Sequence, residues 1–86
     1  MFEDQTETMN EFPIDLVVDA RGHRCPMPLL MAKRGLNTLD PGQLLALQAT
    51  DPGSRRDFEI FARQSGHELL RADDVEEGYY FLLRKR

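Results

Sequence analysis

The residues with the clearest chemical potential lie in one short segment, Arg21–Pro28, which reads RGHRCPMP. Cys25 is the only cysteine of the 86-residue chain, and it stands between an apolar run typical of a strand and one typical of a helix. A helix N-terminus carries about half a positive charge and unpaired N–H donors. Because a thiolate is stabilised there, we expect the pKa of Cys25 to lie below its free value of about 8.5.

The residues around the cysteine favour an exposed, reactive sulfur over a small buried side chain. Arg21 and Arg24 bring positive charge close to it. Gly22 permits a tight turn, and Pro26 and Pro28 restrict the backbone where the helix begins. This pattern predicts a rigid support for an anionic sulfur.

A single cysteine limits the chemistry that the chain can perform. There is no resolving cysteine for thioredoxin-type exchange. One cysteine with His23 and His67 falls short of the four ligands of a zinc site, so we expect no metal and no organic cofactor. A cysteine protease needs an oriented histidine and an oxyanion hole, which a chain this short does not suggest. What remains is a sulfur that carries a group and passes it on, and a persulfide fits that task.

The elements that must position the cysteine follow from apolar periodicity and turn signals. The prediction is strands at 14–20, 43–50, 67–75 and 78–86, and helices at 26–39 and 51–66. Asp51 is the predicted N-cap of the second helix, with Pro52 at its first position and Gly66 at its end.

The element order β-α-β-α-β-β predicts an α/β (α+β) two-layer sandwich. The first β-α-β unit is a right-handed crossover between parallel strands, and the last two strands form an antiparallel hairpin. Since two helices cannot cover both faces of a four-stranded mixed sheet, both are expected on one face.

Length and charge indicate one small domain with an acidic extension. Residues 1–12 contain four acidic residues and no basic one, and we expect them to be a disordered leader to a single domain at 13–86. The net charge of -4 therefore comes from the leader, and the rest of the chain is neutral. This argues against direct binding of nucleic acid.

The sequence also predicts a cytoplasmic location. It has no apolar run near the ~20 residues that cross a bilayer and no secretory signal at its start. A free thiol persists in a reducing compartment. We therefore expect a cytoplasmic protein without membrane contact, and a monomer.

The segment Asp19–Leu36, DARGHRCPMPLLMAKRGL, resembles the signature of the TusA/SirA-type sulfur carrier family, in which a Cys-Pro-x-Pro motif follows a D-x-R-G turn and opens the first helix. The similarity extends over residues 14–86. It implies a two-layer sandwich and a sulfurtransferase-type role, as a protein persulfide shuttle rather than a classical turnover enzyme. Cys25 would bear a persulfide from a cysteine desulfurase or rhodanese-like donor and deliver it to an acceptor protein, for tRNA thiolation, cofactor biosynthesis or sulfur oxidation.

The resemblance also assigns the residues beside the cysteine. Pro26 and Pro28 match the motif prolines, and Asp19, Arg21 and Gly22 match the turn before them. It gives no role to His23 or to the leader.

Four further basic residues are candidates for docking a partner. Lys33 and Arg34 lie on the first predicted helix, where we expect them to border the cysteine end, and Arg55 and Arg56 lie at the start of the second. A solvated surface is the alternative interpretation of all four.

Two other functions remain open from the residues alone. One is a non-catalytic regulatory module of the same fold that binds RNA or protein through its open sheet face. The other is a redox sensor that forms a sulfenic acid on Cys25.

Overall fold

The structure is a computed structural model, and it describes residues 13–86. The leader predicted at 1–12 lies outside the described residues. The elements are β1 Leu16–Ala20, α1 Met27–Leu36, β2 Leu44–Ala49, α2 Ser54–Ser65, β3 Glu68–Val75 and β4 Gly78–Arg84. The strand order is β1-β2-β4-β3, with β1 and β2 parallel and the other pairs antiparallel. The predicted four-stranded mixed sheet is therefore confirmed.

One apolar cluster lies between the sheet and both helices. Its buried members are Ala20, Ala32, Leu36, Leu45, Leu47, Ala49, Phe58, Phe81 and Leu83. The rings of Phe58 and Phe81 stack with their centroids 4.4 Å apart and join α2 to the sheet. Both helices therefore cover the same face, as predicted, and a smaller cluster of Leu44, Ala46 and Leu82 lies on the other face.

The helix α1 packs very close to the sheet at Gly35. A Cβ atom at this position would lie 2.7 Å from Leu45 Cδ1 and 2.9 Å from Leu16 Cδ2. The lower helix propensity of glycine is thus offset by a closer approach of helix and sheet. The helix ends at Leu36, short of the predicted residue 39, because the chain then turns, with the Thr38 hydroxyl donating to the Gly35 carbonyl.

The prediction for the start of α2 is wrong. The N-cap is Gly53, and the helix begins at Ser54. Asp51 closes the turn before the helix, because its Oδ2 accepts a hydrogen bond from Gly53 N at 3.0 Å and its carbonyl accepts one from Ser54 N at 3.0 Å. Asp-Pro-Gly is a strong turn sequence, so Pro52 lies in the turn. The helix ends as predicted at Gly66, whose φ of 86° is left-handed.

None of the helices in residues 13–86 is long and apolar enough to span a membrane.

Candidate functional site

Cys25 lies exposed in the loop between β1 and α1. This loop leaves the strand through Gly22, whose φ is 85°, and Gly22 N donates to Thr50 Oγ1 at 2.9 Å. Pro26 is the N-cap of α1, so the cysteine directly precedes the cap, and the peptide bond between them is cis. Pro26 is exposed, whereas Pro28, in the first turn of the helix, is buried. The loop is therefore fixed at both ends while its sulfur stays accessible.

The start of the second helix also borders the sulfur. Because β1 and β2 are parallel neighbours, the helices that follow them begin at the same end of the sheet. A Cβ atom placed on Gly53 would lie 3.9 Å from Cys25 Sγ and 3.8 Å from Cys25 Cβ. The sulfur thus lies where two helix N-termini meet, and both supply partial positive charge.

The nearest polar group to the sulfur is a carboxylate from α2. The Cys25 thiol donates a hydrogen bond to Asp57 Oδ2, and Asp57 is half-buried. This hydrogen bond raises the pKa of Cys25 above its usual value, with smaller contributions from desolvation of the thiol by neighbouring atoms and from the negative charges of Asp57 and Asp51. The predicted lowering of this pKa is therefore wrong, because the carboxylates of Asp57 and Asp51, and not the arginines, act on Sγ.

Arg21 forms an ion pair with Asp19 within its own turn. Its Nε donates to Asp19 Oδ1 at 2.8 Å and its Nη2 to Asp19 Oδ2 at 2.9 Å. These hydrogen bonds lower the pKa of Asp19 to about 2. Arg21 thus shapes the D-x-R-G turn and does not pair with the sulfur, whereas Arg24 is exposed beside Cys25.

The four candidate docking residues do not form one surface at the cysteine end. Lys33 and Arg34 lie in the last turn of α1, away from Cys25, so the expectation that they border the cysteine is wrong. Arg55 is engaged within the chain, because its Nη1 donates to Asp74 Oδ1 at 2.7 Å and its Nη2 to the Ala72 carbonyl at 2.9 Å. Arg56, in the first turn of α2, is exposed.

The two histidines lie apart from each other. His23 is exposed in the loop that holds the cysteine. His67 follows α2 at the opposite end of that helix, where its Nδ1 accepts a hydrogen bond from Arg86 N at 3.0 Å. Burial, followed by the charges of Lys85 and Arg86, lowers the pKa of His67. His67 therefore has a structural role at the end of α2 that lies away from Cys25.

A depression of about 480 Å³ lies next to this site, at the ends of β1 and β2. Its walls include the Asp19–Arg21 pair and the β3–β4 turn at Glu76 and Glu77. Cys25 is exposed and is not part of this lining, so it lies beside the depression and not within it. An exposed cysteine is accessible to a partner macromolecule.

Sequence reasoning missed Asp57 and Gly53. A signal for both was present, since parallel β1 and β2 bring the starts of the two helices together and the first turn of α2 must then face the start of α1. The prediction considered only the helix that follows Cys25, and it left out the helix that begins beside it.

The fold and the exposed cysteine beside a Pro-x-Pro helix start define a small α/β protein that presents an accessible thiol. Residues 16–85 match the family described as Sulfurtransferase TusA. This chain therefore belongs to the TusA sulfurtransferase family.

Individual relatives agree with this assignment. The chain is similar to the sulfur carrier protein TusA of Allochromatium vinosum, with 45% identity over 71 residues that cover 83% of this chain and 93% of the relative. It is 39% identical to the sulfur carrier protein TusA of Pseudomonas paraeruginosa over 74 residues, which cover 86% and 94% of the two chains. The crystal structure of a SirA-like protein from Desulfitobacterium hafniense has the same fold, with a TM-score of 0.68, 23% identity, and coverage of 80% of this chain and 93% of that chain.

The resemblance predicted from the Cys-Pro-x-Pro segment is thus confirmed. A role as a sulfur carrier is confirmed at the level of the family, and it is favoured over a non-catalytic binding module. Membership of this family implies a role in sulfur transfer, and that role involves proteins that donate the sulfur and proteins that accept it.

Proposed function

We propose that this protein carries sulfane sulfur as a persulfide on Cys25. The observation that carries the proposal is the position of Cys25, an exposed sulfur in the Cys-Pro-x-Pro motif where the N-termini of α1 and α2 meet. The partial positive charge of two helix starts favours an anionic persulfide. The chain holds no second cysteine, so a bound sulfur cannot be lost to an internal disulfide.

Loading is a transfer between two thiols. Cys25 Sγ attacks the terminal sulfur of a donor persulfide, a new S–S bond forms, and the donor's S–S bond breaks. The electron pair of the broken bond leaves on the donor sulfur, which takes up the proton lost by Cys25. Delivery repeats the step, with an acceptor thiol as the nucleophile and Cys25 as the leaving group. The sulfane sulfur keeps its oxidation state, so no external oxidant or reductant is consumed.

The proposed partners are proteins. A cysteine desulfurase or a rhodanese-like protein supplies the sulfur, and an acceptor protein receives it. Arg24, next to Cys25 in the chain, and Arg56, in the first turn of α2, are both exposed, and we assign them to partner docking. A reducing compartment such as the cytoplasm keeps the exposed thiol free, and the protein acts as a monomer.

The test is intact mass spectrometry after loading. The protein is incubated with a cysteine desulfurase and cysteine, and separately with a rhodanese and thiosulfate. The expected result is a gain of one sulfur atom, about 32 Da, that a reductant such as dithiothreitol reverses. Protein whose thiol was first blocked with iodoacetamide is the control and should gain nothing. Absence of a gain with both donors would contradict the proposal.

Space beside the sulfur gives a second prediction, for Gly53→Val. The φ of Gly53 is -75°, which valine also adopts. A Cβ atom there would lie 3.1 Å from Asp51 Oδ2, so Asp51 must shift slightly in any variant, and 3.9 Å from Cys25 Sγ. The stiff methyl groups of valine add bulk about 1.5 Å beyond the Cβ, which alanine does not. We expect the initial rate of loading to fall about tenfold, because the approaching sulfur needs that space. Gly53→Ala is the matched control and should lose less than about twofold. Equal rates for Gly53→Val and wild type would show that this side of Cys25 is not used.

A further inference from the structure

Asp57 makes a contact with the reactive sulfur that the proposed transfer does not explain. Its Oδ2 accepts the hydrogen bond of the Cys25 thiol. Asp57 lies in the first turn of α2, and its backbone N donates to the Gly53 carbonyl at 3.1 Å, so the helix fixes its position. Within residues 13–86, no arginine or lysine forms an ion pair with this carboxylate. The thiol is therefore the polar group that the carboxylate engages.

The other charged groups around the sulfur do not cancel this effect. From the loop before α2, the Asp51 carboxylate adds negative charge toward Sγ. On the cysteine's own loop, Arg21 is paired with Asp19, while His23 and Arg24 are exposed. Solvent screens exposed charges more strongly than a direct hydrogen bond. The charged side chains around Sγ therefore favour the neutral thiol.

We propose that Asp57 holds the proton on Cys25 in the unloaded carrier and thereby restrains its reaction with small electrophiles and oxidants. The inference rests on the proposed function of Cys25 as the sulfur carrier. A thiolate is both the nucleophile and the form that oxidises, so a carrier that waits as a thiol is protected between transfers. The hydrogen bond must break, and the proton must leave with the donor sulfur, when a partner loads the carrier.

The chemistry of a fitting partner follows from this arrangement. Two carboxylates, Asp51 and Asp57, act on Sγ in the free carrier. A cationic side chain that a donor protein places beside its persulfide would pair with Asp57 and release the thiol from it.

The test measures alkylation by iodoacetamide as a function of pH. Asp57→Asn removes the negative charge but keeps a polar side chain of similar size, and we expect its rate at pH 7 to rise about three- to tenfold. Its profile should reach the thiolate plateau at a lower pH than wild type. Asp57→Glu retains the charge and should restore slow reaction in part. Glu59→Gln removes a charge from an exposed site on the same helix and should overlap with wild type.

Circular dichroism checks that Asp57→Asn and Asp57→Glu keep the fold before their alkylation is compared. Equal pH profiles of wild type and Asp57→Asn would overturn the inference.

Alkylation needs no sulfur donor, so the two proposals can fail separately. A shifted profile without any loading by the donors would support the role of Asp57 and contradict the carrier function. Loading of wild type together with an unchanged pH profile in Asp57→Asn would support the carrier function and contradict the role of Asp57.

Discussion

Cys25→Ser is expected to abolish sulfur loading completely and to leave the fold intact. A serine hydroxyl is far less acidic than a thiol and forms no stable bond to sulfane sulfur. The exposed site tolerates the change, since a serine hydroxyl can still donate to Asp57 Oδ2. The free energy of unfolding should change by no more than about 0.5 kcal/mol, as for most surface substitutions.

The measurement combines intact mass after incubation with a desulfurase, urea denaturation, and capture of the donor. Serine should leave donor docking unchanged, because the charged side chains around the site remain. A binding module would keep its whole activity in this variant, whereas a carrier keeps its docking and loses its transfer. A reductant-sensitive gain of one sulfur by Cys25→Ser would contradict the assignment of the carrier residue.

Most of the fold is predictable from the sequence because its signals are local. Strands and helices follow from short apolar patterns, and β-α-β handedness makes the first two strands parallel. The start of α2 is the exception. Asp51 can cap a helix or close a turn, and the sequence Asp-Pro-Gly is compatible with both. Only the structure shows that Asp51 closes the turn.

The electrostatics of the site are less predictable than its position. The sequence places positive charges next to Cys25, and from neighbours along the chain alone the thiolate should be favoured. In the fold, Arg21 pairs with Asp19, and Asp57 reaches the sulfur from a different helix. The sign of the pKa change therefore depends on contacts between residues 32 positions apart, which local patterns do not determine.

Two features of the structure act in opposite directions on the protonation of Cys25 Sγ. The helix N-termini favour an anion at Sγ, and the carboxylate of Asp57 favours the protonated thiol. A loaded sulfur extends away from Sγ by an S–S bond of about 2.05 Å. Asp57 thus acts most strongly on the unloaded state, which is the state that must not react without a partner.

The position of Asp57 depends in turn on the packing of α2, so Phe58 is the residue whose loss should have the largest effect on the fold. Its side chain is fully buried and stacks on Phe81. Removal of a buried phenylalanine side chain costs about 3–5 kcal/mol. A domain of this size has a total stability at the lower end of the range of about 5–15 kcal/mol. Phe58→Ala should therefore be largely unfolded or close to its midpoint at 37 °C.

Urea denaturation followed by circular dichroism measures this effect, with Phe58→Leu as the matched variant. Leucine keeps part of the apolar contact but loses the stacking on Phe81, and it should cost about 1–2.5 kcal/mol, less than alanine. Because Phe58 adjoins Asp57 in α2, a partly folded Phe58→Ala should also alkylate faster at Cys25, as its Asp57 leaves the sulfur. A loss of less than about 1 kcal/mol in Phe58→Ala would mean that α2 is held by other contacts. In that case the placement of Asp57 would have to come from the turn at Asp51–Gly53 instead.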